Sequence, residues 1–377
     1  MDSTRAALEN ALVATPHDYT LHCAYADYLH EHNDPRGEYI LIQLALEDRN
    51  QPVERLREME QRAFQIREKH QAKWLGPLAP YVLIDRRGRS VAEPGEPAVQ
   101  ITWKRGWVDM LNCSHLYPSL QGAIATSPAT RLLGGLEILL DEMADAENQN
   151  RASLNRIRES GRLQNIRNFQ IRCPHTPLPL RRLNLEEAFR AMPHVEELYL
   201  HVPHLSVERV FSNSYPKLRS LSIATYSQRM PIALLGRNAG IPDLSYLRLE
   251  WHRDFDRPLQ PFTASEISDF FRSPYLTKMK ELIFRLPGFG DDGVRELIDS
   301  GFINRLERLN LRGCVITDTG AQLLAACRHV RNLQTLHLGN NLLSPIGIEA
   351  LAEVGFEVGE QLFGGILLPD DEGDIPF

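Results

Sequence analysis

The chain has 377 residues, with 42 Lys and Arg against 49 Asp and Glu, a net charge of −7, 43% hydrophobic and 24% charged residues. This profile suits two to three globular domains of about 150 residues each and excludes wholesale disorder or a collagen-like chain. No run of about eighteen apolar residues offers a membrane helix, Met1-Asp2-Ser3-Thr4-Arg5 leads into a mixed helix so that no secretory signal is expected, and an acidic chain repels phosphate backbones and anionic lipid.

Residues 1–76 come first and read as helical. Thr15-Pro16 and Asp34-Pro35 are cap-plus-proline starts, each cap worth about 1 kcal/mol. Leu21, Ala24, Tyr25, Tyr28 and Leu29 form an apolar stripe at 3- and 4-residue spacing, and Glu58 precedes Arg62 by one helical turn. The pattern predicts four helices over 3–14, 16–32, 35–48 and 52–74. Asp34 is expected to cap the third of these, and Gly37 to leave room for a neighbouring helix. Asp27, Arg36 and Glu38 are expected to lock the corner between the second and third helices, with a partner-binding epitope as the other reading.

The run Leu21-His-Cys-Ala-Tyr25-Ala26-Asp27-Tyr28-Leu29, then Asn33-Asp34-Pro35-Arg36-Gly37-Glu38-Tyr39-Ile40 and Gln43, resembles the bacterial repeat-companion domain, whose signature reads YADWLEE, a gap, then GDPRGEFIRLQ. Tyr28 stands for that family's Trp and Asn33 for its Gly. The resemblance covers roughly the first fifth of the chain. It implies a planctomycete or myxobacterial type of protein, with the domain ahead of leucine-rich repeats, and no catalytic activity. Tyr25, Asp27, Asp34, Arg36 and Glu38 are its motif residues here.

Residues 77–130 are read as a connection and N-terminal capping strands: 77–100 is Pro/Gly-rich, with Arg86-Arg-Gly-Arg89 and Glu93-Pro-Gly-Glu-Pro97, and Ile101 to Met110 comes next. The latter predicts two short strands around Arg105-Gly106, placed to cover the open edge of the first repeat unit after residue 130.

Residues 131–355 repeat. Leu306/Leu309/Leu311 and Leu333/Leu336/Leu338 share the pattern L-x-x-L-x-L, which recurs at Met279/Leu282/Phe284, Leu244/Leu247/Leu249, Leu218/Leu221/Ile223 and Val195/Leu198/Leu200. Weaker copies stand at Ile166/Phe169/Ile171 and Leu133/Leu136/Ile138, so the steps between copies run from 23 to 35 residues. Alternation of the last two apolar positions is strand periodicity, and the apolar stretch after each strand returns at helical spacing. No unit can bury its inward face alone, so the units must stack. The last two units resemble the long, helix-backed leucine-rich repeats of ribonuclease-inhibitor type. The resemblance implies that Cys314 and Asn341 bond the turning backbone. The fold class expected is therefore α/β, a leucine-rich repeat solenoid with a curved parallel sheet and outer helices, preceded by a small all-α domain. Residues 356–377, with Asp370-Asp-Glu372 and Asp374, are expected to form the other cap and an acidic end.

Catalytic chemistry finds little support. Gly288-Phe-Gly290-Asp-Asp-Gly293 is formally G-x-G-x-x-G, but Gly293, Gly320 and Gly347 each come nine residues after the last apolar strand position, so the third glycine is a repeat position. Asp291 and Asp292 would also repel a pyrophosphate. His201-x-x-His204 and Cys173-Pro-His175 belong to no set of four ligands. The five cysteines (Cys23, Cys113, Cys173, Cys314, Cys327) are odd in number and lack C-x-x-C, which fits a reducing compartment. None is followed two residues later by Asp, the arrangement of bacterial leucine-rich-repeat ubiquitin ligases. No catalytic residue, cofactor or metal is expected.

The strands also present a face outward. Arg172, His201, Ala224, Glu250, Arg285 and Arg312 fall in one column of it, mostly basic on an acidic chain. Tyr and Arg anchor interfaces more than most residue types. Tyr199, His201, Tyr246, Arg248, Arg285, Arg308, Arg312 and His337 are the expected contacts to an acidic protein partner. The expectation is a cytoplasmic, non-enzymatic interaction scaffold that binds neither nucleic acid nor membrane. Its alternatives are a GTPase-activator-like regulator, or an adaptor whose helical head recruits other machinery.

Overall fold

The computed structural model describes residues 3–84, 90–91, 98–114, 116–139, 154–172, 185–202, 205–225, 229–251 and 261–361. The chain divides into two compact units, Met1–Leu180 with Leu185–Glu197, and Arg181–Asn184 with Leu198–Phe377.

The first unit begins with α1 (Ser3–Ala14), α2 (Tyr19–Glu31), α3 (Arg36–Ala45) and α4 (Val53–Leu75), then the short α5 (Ala79–Val82). Helix α2 starts three residues later than Thr15-Pro16 suggests. Asp18 is its cap, accepting the Leu21 N–H at 3.0 Å, while the Thr15 hydroxyl turns back to the Ala11 carbonyl of α1. Helix α3 stops at Ala45, whose carbonyl accepts the Gln51 amide at 2.7 Å. At its start the Asp34 carboxylate accepts the Arg36 N–H at 3.0 Å, filling one of the first-turn donors. Gly37 packs against α2 so closely that a Cβ there would lie 2.5 Å from the Ala26 carbonyl oxygen.

Strands β1 (Gln100–Lys104) and β2 (Trp107–Cys113) pair antiparallel around Arg105-Gly106, which both take positive φ. Beyond α6 (Pro118–Thr126), β2 pairs in parallel with β3 (Gly135–Leu139), so the hairpin covers that strand's edge. After α7 (Asn155–Glu159), β4 (Asn168–Arg172) continues the ladder, with Leu136 opposite Phe169 and Ile138 opposite Ile171. Helix α8 (Glu186–Arg190) comes next.

The second unit alternates β5 (Glu197–His201), α9 (Val207–Ser212), β6 (Ser220–Thr225), α10 (Ile232–Gly236), β7 (Tyr246–Trp251), α11 (Ala264–Phe271), β8 (Glu281–Arg285), α12 (Gly290–Asp299), β9 (Arg308–Asn310), α13 (Asp318–Ala326), β10 (Thr335–His337) and α14 (Pro345–Ala352). The ladder from β6 to β10 is parallel and keeps the repeat in register: Leu221, Leu247, Leu282, Leu309 and Leu336 pair in succession. Phe270, Phe271, Phe284, Phe289 and Phe302 are buried together, with ring centroids as close as 5.1 Å. Segment 355–361 lies along the last repeat, where the Asn340 N–H donates to the Glu360 carbonyl at 2.7 Å. Arg86–Arg89, Glu93–Pro97 and the acidic end Asp370–Asp374 lie outside the described residues.

Two devices tie repeat to repeat. Asn341, fully buried, donates to the Leu311 and Leu338 carbonyls at 2.8 and 2.9 Å and accepts the Cys314 and Ile316 N–H groups at 3.0 and 3.1 Å. Cys314 donates its thiol to the Phe284 carbonyl at 3.2 Å, and burial pushes that thiol up to about 12. The second device was not legible as such. Asp291 accepts the Thr317 N–H, the Thr317 hydroxyl and the Gly320 N–H, at 2.9, 2.5 and 3.0 Å. Asp318 does the same one unit on, with Ser344 and Gly347, at 2.8, 2.6 and 3.1 Å. Each carboxylate caps the helix of the next unit, and each glycine is there because a Cβ would overlap that carboxylate.

Helix α11 carries a capping box, Thr263 with Glu266, and Arg229 adds two hydrogen bonds to Glu266, both at 2.8 Å. The Arg229 guanidinium holds the Glu266 carboxyl at about 2, against the opposing effect of burial and with help from Thr263. A carboxyl whose folded value lies below its ordinary 4.5 contributes stability that is full above 4.5 and lost as pH falls towards 2. Urea midpoints compared between about pH 5 and pH 3 should therefore fall more steeply for the native chain than for Glu266→Gln.

Candidate functional site

The outward strand positions of the second unit are built by the period-2 alternation that buries Leu247, Leu249, Leu282 and Phe284 on the other face. The parallel register sets Tyr246 beside Glu281, Arg248 beside Ile283, and Glu250 beside Arg285. Glu250 is the centre of this region. Its Oε1 accepts Arg248 Nε at 2.8 Å and Nη2 at 2.7 Å, and lies 3.2 Å from Arg285 Nε. Arg248 and Glu250 are buried despite their place on the outward face. Burial acts to lower the Arg248 guanidinium, and Glu250 beside it reverses this, leaving it above its ordinary value. Such a pair is costly to break, since either partner alone would be a buried uncompensated charge.

Arg308 pairs with Glu281 across β8 and β9, Nε to Oε2, at 2.6 Å, with nearly half of the Arg308 side chain exposed. An exposed pair of this kind contributes little, about 0–1 kcal/mol, and can be exchanged for another partner. The Tyr199 and His201 rings lie 4.3 Å apart, tilted by 32°, with the Tyr199 hydroxyl 2.9 Å from His201 Nδ1. Tyr246 is half-buried, and burial raises its phenol above the ordinary value. Arg312 is half-buried, its N–H bonded to Asn310 Oδ1 at 3.1 Å, and His337 is exposed on β10. Arg248, Arg285, Glu250 and Tyr246 thus come together, as do Tyr199 and His201. Glu250 and Glu281 already hold three of the arginines, which alternation alone does not reveal.

The helical motif of the first unit is placed differently. Arg36 is buried; its Nε donates to the Gly106 carbonyl at 2.8 Å and its guanidinium carbon lies 4.2 Å over the Trp107 ring. Tyr25 stacks on Trp107 at 5.6 Å. Gln43 accepts the Gly106 N–H at 2.6 Å and donates to the Trp103 carbonyl at 3.1 Å, and Arg105 forks onto Glu47 at 2.6 and 2.7 Å. The motif therefore grips the β1–β2 turn. Arg36 makes its contacts there rather than with Asp27 and Glu38: Asp27 is exposed on α2, and Glu38 pairs with Arg62 of α4 at 2.7 Å.

Among the described residues no three His, Cys, Asp or Glu side chains are grouped to hold a metal ion; Cys173, His175 and His204 lie outside them. Four described cysteines are free thiols, and no described helix is long and apolar enough to cross a membrane.

No curated protein matches this chain. Among solved structures, the crystal structure of a Bacteroides fragilis protein is similar with a TM-score of 0.46 and 17% identity, over 64% of this chain and 69% of that one. Residues 304–325 and 329–352 match the Leucine Rich repeat family. The matched stretches hold β9, α13, β10 and α14 with the Asn341 and Asp318 devices, and the same strand-and-helix unit recurs before them: the fold is a leucine-rich repeat solenoid with a helical region ahead of it.

Proposed function

We propose that this protein is a non-enzymatic, cytoplasmic interaction scaffold, and that the outward strand face of its second unit takes an acidic protein partner rather than nucleic acid. The observation that carries this is a local reversal of charge. On β7, β8, β9 and the turn after β9, Arg248, Arg285, Arg308 and Arg312 face two carboxylates, Glu250 and Glu281, in a chain whose net charge is −7. The face keeps two positive charges, with Tyr199 and Tyr246 as rigid aromatic neighbours. Buried Arg248–Glu250 would hold the shape, while exposed Arg308 and His337 would meet the partner. Within this reading the chain is organised as a repeat-companion region over 1–76, a connection and cap over 77–130, repeats over 131–355 and a second cap with an acidic end over 356–377.

Capture from native cytoplasm with the full chain should yield an acidic protein. The triple variant Arg285→Glu, Arg308→Glu, Arg312→Glu should bind it about tenfold more weakly or worse, and added salt should weaken the native complex. An unchanged affinity in the triple variant, with its circular dichroism intact, would end this reading.

A further inference from the structure

In the first unit, a cleft of about 690 Å³ is lined by Arg5, Lys73, Arg131 and Arg162 together with Glu9 and Asp34. Its volume is that of a small-molecule site. The two carboxylates are already committed. Glu9, almost wholly buried, accepts Arg5 Nε at 2.9 Å and the Tyr25 hydroxyl at 2.8 Å, and also receives Arg131. Asp34 holds the Arg36 N–H on one oxygen and lies 4.0 Å from Arg5 on the other. Arg162 and Lys73 have no carboxylate partner among the described residues. Arg162 gives one hydrogen bond, Nη2 to the Ser127 carbonyl at 3.2 Å, and its Nε is buried with no hydrogen-bond partner. Burial, then the neighbouring Arg131, hold its guanidinium below the ordinary value. A half-buried guanidinium with no carboxylate partner is the group an entering anion relieves most, because the charge-assisted bond forms where water screens least.

We propose that this cleft binds a small dianionic oxyanion, a phosphate monoester or a dicarboxylate, with Arg162 and Lys73 as its direct partners. Four cations against two carboxylates leave two positive charges, which such a dianion balances. Leu29, Tyr28 and Pro128 add an apolar wall for the body that carries it. The site is independent of the strand face.

The test is calorimetric titration of the full chain with inorganic phosphate and, separately, with malonate, at constant ionic strength set by chloride. Saturable one-site binding of at least one anion is expected. Arg162→Gln and Lys73→Gln should each weaken it about tenfold. Arg190→Gln, an exposed change on α8, should leave it unaltered. Phosphate alone binding assigns the phosphate source, and malonate alone the carboxylate source. Absence of saturable heat with both, or native affinity in the two cleft variants, overturns the proposal. Should Arg162→Gln fail to fold, exposed Lys73→Gln carries the comparison by itself.

Discussion

Asn341→Ala should destabilise the chain by about 4 kcal/mol, a large part of the roughly 5–15 kcal/mol that holds a typical domain together. The side chain makes five hydrogen bonds in a fully buried place, two from N–H groups and three to carbonyls, of which the one to Gly339 is the longest at 3.4 Å. Alanine leaves the Cys314 and Ile316 N–H groups and the Leu311 carbonyl without those partners, each orphan costing about 1–3 kcal/mol before relaxation or water entry offsets some of it, while the Leu338 carbonyl keeps the Gln361 amide at 3.1 Å. The loss should be local, since repeats are held chiefly by neighbours. Amides at 314 and 316 should lose hydrogen-exchange protection, while those of α2 and α3 keep theirs. Asn341→Asp separates the two halves of the role, keeping the acceptor while removing both donors. A urea-derived change under about 1 kcal/mol for the alanine variant would show that the ladder does not depend on this side chain.

Gly37→Ala should cost about 2–3 kcal/mol, although alanine is the better helix former by about 1 kcal/mol. The new Cβ would stand 2.5 Å from the Ala26 carbonyl oxygen, 3.0 Å from the His30 nitrogen and 3.2 Å from the Leu29 Cβ. Two of these are backbone atoms of α2, which no rotamer change can move aside. Helix α3 must therefore back away from α2, and it carries Arg36 and Gln43 with it. Those side chains hold the β1–β2 turn through Gly106, so near-ultraviolet signals of Trp103 and Trp107 should change together with stability. A variant as stable as the native chain, with those signals unaltered, would show that α2 and α3 are not locked at Gly37.

The strands and the repeat were legible because they rest on local pattern. The eight L-x-x-L-x-L copies place Leu136, Phe169, Leu198, Leu221, Leu247, Leu282, Leu309 and Leu336 in strands β3 to β10. Asn341 was legible by resemblance, since the turn it bonds recurs with the repeat. Helix starts were read less well, because Thr15-Pro16 and Asp18 compete within four residues and only the chain's path after α1 chooses Asp18. The Asp291 and Asp318 caps are not legible locally, although each stands seven residues after the last apolar strand position, Phe284 or Leu311. Their partners, Thr317 and Ser344, are 26 residues further on, beyond the reach of any local capping rule.

The candidate surface divides in the same way. Alternation identified which side chains the strands turn outward, because strand periodicity is a property of the backbone itself. It could not identify which arginines are engaged, because Glu250 meets Arg285 through a ladder between segments 35 residues apart. The head motif is the clearest case. Its residue types and spacing specified the capped α3 and the close α2–α3 approach, both local events. That Arg36 would be buried over Trp107, 71 residues later in the sequence, was decided by tertiary packing alone. A guanidinium has several donors and one charge, and its partner is whatever backbone or ring the fold brings within reach.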